Sequence, residues 1–138
     1  DRLRPMFLEL TVAKAREGFD VVYTNVQTFG PGATGCTQLA PPPWTIDRFR
    51  AGPPCWITTL FRRPLWARIG GFDSGQLYYD WAFWYECFKA GARVAFIAEA
   101  LWEYREPAAM GSAGIDRAEA LRRLYGKYPE LRNGEAVA

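Results

Sequence analysis

The sequence predicts an α/β domain: a mixed sheet flanked by helices. Three observations carry this. Val21-Val22-Tyr23-Thr24-Asn25-Val26 is a β-branched and aromatic run that follows a helical pattern ending at Gly18. Trp81, Trp84, Tyr85 and Phe88 recur at i, i+3, i+4, i+7, one face of a helix, and two short strand patterns come after it. The composition, 49% hydrophobic and 23% charged over 138 residues, is that of one packed domain able to bury roughly 70% of its unfolded surface.

The elements follow in order. Leu3 to Gly18 predicts the first helix, with Pro5 near its start, Met6, Leu8, Leu10, Val12 and Ala13 as apolar positions, and Lys14 and Arg16 before the terminal glycine. Phe29 to Pro43 carries three glycines and four prolines and predicts a long loop, of the kind that often serves as a lid or stays disordered. A short amphipathic turn spans Trp44 to Phe49, and Trp56 to Phe61 predicts a second strand. Pro64 to Ile69 predicts a short helix stopped by Gly70-Gly71. The aromatic helix runs to Ala90-Gly91, and Arg93 to Ile97 and Leu101 to Arg105 predict two short strands. Asp116 to Tyr128 predicts the last helix, with Asp116 as N-cap and Ala118, Leu121, Leu124 and Tyr125 on its buried face. Residues 129–138 are expected to fray.

Composition excludes several chemistries. Without histidine there is no Ser-His-Asp or Cys-His nucleophile, no His-ligated metal and no imidazole base, so acid–base work falls to carboxylates. Cys36, Cys55 and Cys87 form no Cys-x-x-Cys motif and are expected to be reduced, which points to a cytoplasmic protein. Seventeen basic against fifteen acidic residues give +2, too weak a field for nucleic acid or an anionic membrane surface. No apolar run approaches the roughly 18–20 residues of a membrane span. The chain starts Asp1-Arg2-Leu3, without Met or a signal peptide, and is expected to be a portion of something longer.

Two carboxylates stand in special places. Asp73 lies between Gly70-Gly71-Phe72 and Ser74-Gly75, where backbone can approach a ligand closely. Asp80 heads the aromatic helix between Tyr79 and Trp81, where it is expected to cap free N–H groups, to accept a proton, or to do both.

The run Gly70-Gly71-Phe72-Asp73, then Tyr79-Asp80-Trp81 opening a helix that ends at Gly91, then a strand and Leu101-x-x-Tyr104-Arg105, resembles the C-terminal half of family 2 glycosyltransferases of the GT-A fold. Leu60-Phe61-Arg62-Arg63 is similar to the segment before that family's Gly-Gly-Phe-Asp, and Asp1 to Glu9 is similar to the stretch after its Asp-x-Asp. The ordered set spans residues 1 to 112. The resemblance implies a partial GT-A-like mixed sheet in a single domain, 1–138, lacking the N-terminal nucleotide-binding half. It implies inverting transfer of a sugar from a nucleotide-sugar donor to an acceptor hydroxyl, with Mg²⁺ or Mn²⁺ in the complete enzyme. On that basis Asp80 is the catalytic base, Gly71, Phe72, Asp73 and Trp81 bind acceptor or donor sugar, Arg105 faces the diphosphate, and Asp1 is a candidate metal ligand.

The sequence also departs from the family. Tyr79 stands where the family has the first acid of a Glu-Asp pair, and the Gln-x-x-Arg-Trp motif of processive synthases is missing. The competing expectations are a non-catalytic carbohydrate- or protein-binding domain and a structural fragment. Half a GT-A sheet leaves an open edge, so a homodimer or larger assembly is also expected.

Overall fold

The structure is a computed structural model that describes residues 1–108 and 115–132. Its elements are β1 (Arg2–Leu3), α1 (Phe7–Arg16), β2 (Val21–Phe29), β3 (Cys36–Thr37), α2 (Ile46–Ala51), β4 (Leu60–Phe61), α3 (Arg63–Ile69), α4 (Tyr79–Lys89), β5 (Val94–Arg105) and α5 (Arg117–Lys127), followed by a 3₁₀ turn at Pro129–Leu131. The class is α/β with a mixed sheet. Parallel β2 and β5 form its centre, β1 pairs antiparallel with β5, and β3 and β4 pair antiparallel with opposite ends of β2. None of the described helices is long and apolar enough to cross a membrane.

The central pair is the most extensive contact between elements of the fold. Val21, Val22, Tyr23 and Val26 are wholly buried, as expected of a strand covered on both faces. Val21 and Tyr23 join the larger core cluster with α4, whereas Val26 joins a smaller one with Phe7, Leu101 and Trp102. Cluster membership follows the alternation of side chains along a strand.

The two strands expected at Arg93–Ile97 and Leu101–Arg105 are one strand, β5, continuous through an irregularity. Thr24 pairs with Ile97 but Asn25 pairs with Ala100 and Val26 with Trp102, so β5 carries extra residues there. Asn25 holds the irregularity: its buried amide donates to Ala98 O at 2.6 Å and to Gln38 Oε1 at 2.8 Å, while its Oδ1 accepts from Leu39 N–H at 2.7 Å. Asn25→Ala removes all three and leaves the partly buried Leu39 N–H and Ala98 C=O without their partner. It should cost about 1–3 kcal/mol in a urea titration; a loss below 0.5 kcal/mol would show that the irregularity holds itself.

Other expectations shift for local reasons. The first helix begins at Phe7 rather than Leu3, because Arg4, extended before Pro5, gives its N–H to Leu101 O at 2.9 Å and keeps Leu3 on the sheet. Its buried face is Phe7 and Thr11, leaving Met6 and Leu8 exposed. The expected loop at Phe29–Pro43 turns back as a hairpin: Thr28 Oγ1 accepts the N–H groups of Thr34 and Gly35, and β3 returns to β2. Only Leu60–Phe61 of the second expected strand pairs, since Thr59 folds back to Trp56 O and Ile57 O. In α5 the fully buried residues are Ala120 and Leu124, and Ala118 is exposed. Fraying from residue 129 is corrected by the 3₁₀ turn, which buries Leu131 completely; residues 133–138 lie outside the described set.

Candidate active site

Asp80 sits in the first turn of α4, one residue inside the helix rather than before it. The N-cap is Tyr78, which offers no side-chain cap, and Asp80 Oδ1 accepts the Trp81 N–H at 2.8 Å. The expected N-cap role is thus corrected: the carboxylate serves one free N–H from within the turn. It is half-buried, and desolvation pushes its pKa above the ordinary carboxylate value in spite of the backbone N–H groups that oppose the shift. Every other described carboxylate with a resolved shift moves down: Asp73, Glu103, Glu119 and Glu130. Among the described carboxylates with a resolved shift, Asp80 is the one whose proton affinity is raised, and it lies in a cleft.

Two cavities meet at Asp80. The larger, about 520 Å³, is bounded by the end of α2 (Arg50, Ala51), Gly52-Pro53, the head of α4 (Tyr78, Asp80, Trp81) and one side of α5 (Arg117, Leu121, Tyr125). The smaller, about 370 Å³, is walled by apolar groups that include Cys55, Trp56, Ile57 and Tyr104. Pro53, Tyr78 and Asp80 belong to both walls, so the carboxylate stands where the two spaces join. Both volumes are in the range of small-molecule sites.

Trp81 is 7% exposed and its indole N–H donates to Phe49 O at 3.0 Å, so it is anchored in the core while bordering the larger cavity. A ring tied in this way gives a rigid wall.

Gly71, Phe72 and Asp73 border a different cavity, about 460 Å³, together with Glu86, Lys127 and Tyr128. It shares no residue with the two at Asp80. Gly71 is required by the chain itself, at φ 75° with a Cβ position 2.6 Å from the Trp66 ring. Asp73 is bonded to Lys127 Nζ at 2.7 Å and to Gly75 N–H at 2.8 Å, and Lys127 chiefly lowers its pKa. That stabilisation is present above the unfolded carboxylate range and is lost as pH falls through the depressed folded value. Asp73→Asn should therefore cost less than about 1 kcal/mol at pH 7, since the pair is solvent-exposed, and the cost should vanish in acid. Its turnover should fall less than that of the Asp80 variant. Thermal melts at pH 7 and pH 3, with the paired rate measurement, check this.

Arg105 and Asp1 meet at the end of β5, where the Arg105 backbone N–H donates to Asp1 Oδ1 at 3.0 Å. Neither borders a cavity at Asp80. Among the described residues no three His, Cys, Asp or Glu side chains converge on a metal position. The structure thus brings together Asp80 and Trp81 of the sequence candidates and leaves the others elsewhere.

Sequence reasoning missed Arg50, Tyr78, Arg117 and Tyr125. Arg117 follows an expected helix cap and Tyr125 sits on an expected helix face, but only the packing of α5 beside α4 and α2 turns them toward Asp80. No protein-family model matches this chain, and no curated protein matches it in sequence.

Proposed function

We propose that this chain is the acceptor-side portion of an inverting glycosyltransferase of the GT-A type, with Asp80 as the general base. The observation that carries the reading is Asp80 itself: a half-buried carboxylate of raised pKa at the junction of two cavities. The motif order Gly70-Gly71-Phe72-Asp73, Tyr79-Asp80-Trp81 and Tyr104-Arg105 supports it, as does the mixed α/β sheet.

In this reading an acceptor hydroxyl lies against Asp80. As its oxygen forms the new bond to the anomeric carbon of a nucleotide-sugar, its proton passes to the carboxylate. The bond from that carbon to the donor's diphosphate oxygen breaks, and the electron pair leaves with the nucleotide. Attack from the opposite side inverts the anomeric centre. Partial exclusion of water around Asp80 raises its affinity for the proton and so its strength as a base. A rigid Trp81 wall limits the poses of a bound sugar ring.

The divalent cation implied by the family resemblance finds one candidate ligand, Asp1, which is tied to the Arg105 amide. A lone carboxylate does not make a Mg²⁺ or Mn²⁺ site, and the role proposed for Asp80 does not pass through one.

The test is a transfer assay with nucleotide-sugar donors and hydroxyl acceptors, reading product by mass spectrometry and the anomeric configuration by proton coupling. Product of inverted configuration is expected. A product of retained configuration, or transfer that proceeds unchanged without the Asp80 carboxylate, would overturn the assignment.

A further inference from the structure

The two cavities at Asp80 differ in charge. Among the described residues the smaller has no cation in its wall, whereas the larger has two guanidinium groups, supplied by separate elements. Arg50 comes from the last turn of α2. Its Nε donates to Glu130 O at 3.0 Å and its Nη1 to Asp47 Oδ1 at 2.8 Å, which fixes the plane of the group and leaves Nη2 without a bond among the described residues.

Arg117 is the first residue of α5 and is exposed, with no ion pair or side-chain hydrogen bond among the described residues. A cation there sits at the positive end of a helix, where local electrostatics disfavours it. The first N–H groups of α5 are already taken by Asp116, so they do not attract an anion themselves. Arg117 is therefore a charge without a partner among the described residues, in an unfavourable place, on the wall of a cavity.

Neither arginine bonds to Asp80, whose carboxylate is bound instead by the Trp81 amide. The guanidinium charge and the carboxylate face one space rather than each other. A ligand that satisfies both presents a hydroxyl to Asp80 and an anion to the arginines.

We infer that the substrate whose hydroxyl meets Asp80 is an acidic sugar or acidic glycoside, its carboxylate or phosphate received by Arg117 and by the free edge of Arg50 across the larger cavity. This rests on the transferase reading above and adds the substrate class. Planar guanidinium groups match both anions geometrically, and Tyr78, Trp81 and Tyr125 supply the apolar wall that the C–H face of a sugar packs against. A cavity of about 520 Å³ accommodates such a ligand.

The experiment titrates the full chain with three probes: methyl β-D-glucuronide, methyl β-D-glucoside 6-phosphate and neutral methyl β-D-glucoside. Binding is read from the ¹⁵N–¹H shift of the Trp81 indole and from calorimetry. At least one acidic probe should bind 10-fold or more tightly than the neutral glucoside, and the comparison between the two tells carboxylate from phosphate. Raising the salt concentration should narrow the difference. Arg117→Gln should reduce the preference to about 2-fold, and Arg117→Lys should keep part of it. Both changes are at an exposed position, and unchanged melting curves should accompany them.

Equal affinity for charged and neutral probes, no binding of any probe, or full preference in Arg117→Gln would overturn the inference. The two readings fail separately. Asp80-dependent transfer to neutral acceptors as fast as to acidic ones removes the acid pocket and leaves the transferase. Acid-selective binding that Arg117→Gln abolishes, with turnover indifferent to Asp80→Asn, keeps the acid pocket and removes the transferase.

Discussion

Asp80→Asn should lower turnover by roughly 10²–10⁴ while leaving the fold intact. Asparagine keeps the size of the side chain, and its carbonyl oxygen can still accept the Trp81 N–H, so the helix start is preserved. The stability change should stay within about 1 kcal/mol. Its sign at neutral pH is set by the raised pKa. The folded protein holds the Asp80 proton more tightly than the unfolded chain does. The wild-type contribution is therefore greatest below the unfolded carboxylate value and is lost as pH rises through the higher folded value. Asn carries no such penalty. Asp80→Asn should melt at the same temperature as wild type or higher at pH 7, with the difference shrinking toward pH 4. Measuring kcat and Tm for both proteins across that range decides the matter. An Asn variant that turns over at full rate reduces Asp80 to a helix-terminus acceptor. Loss of both fold and rate would show that the carboxylate is structural.

Trp84→Ala should be among the most damaging core changes, costing about 3–5 kcal/mol, a large share of the roughly 5–15 kcal/mol that holds a domain of this size. Trp84 is fully buried on α4, with its ring centroid 4.8 Å from Phe83, 5.9 Å from Phe61 and 6.2 Å from Trp44. These rings come from three separate elements or loops, so the space left behind cannot close by moving one side chain. Its indole N–H has no partner among the described residues. Trp84→Phe gives up that unsatisfied donor along with some volume, and should cost less than about 1.5 kcal/mol. Guanidinium titrations of both variants test the pair. If Phe costs as much as Ala, the indole N–H has a partner, and the packing account is wrong.

The candidate site was half legible. Asp80 stood out because a chain without histidine leaves acid–base chemistry to carboxylates, and few are placed between aromatic residues at a helix start. Trp81 was legible as a neighbour, though its anchoring to Phe49 O was not. Asp73 is close to Asp80 in sequence, yet the turn at Gly70–Gly71 and the Lys127 contact direct it to another cavity. Arg105 and Asp1 carry charges suited to a diphosphate or a metal, yet the Asp1 carboxylate accepts the Arg105 backbone N–H and neither residue borders a cavity at Asp80.

Taken alone, the sequence determined what local physics controls. It marked the β-branched run that becomes β2, the aromatic stripe that becomes α4, and the capping Asp116 that opens α5, because each depends on residue types within one or two turns of chain. It also determined that no imidazole is present to act as acid or base. The tertiary structure decided the rest, for a common reason: contacts between residues distant in sequence override local preference. The two short strands became one because the Asn25 amide, 73 residues away, holds Ala98 O through the irregularity. Leu3 stayed on the sheet because Leu101 accepts the Arg4 amide. Residues 129–131 did not fray because Arg50 binds Glu130 O and Leu131 finds the core. The pairing of Arg117 with Arg50 around Asp80 follows from the packing of three helices, and periodicity within any one helix carries no record of it.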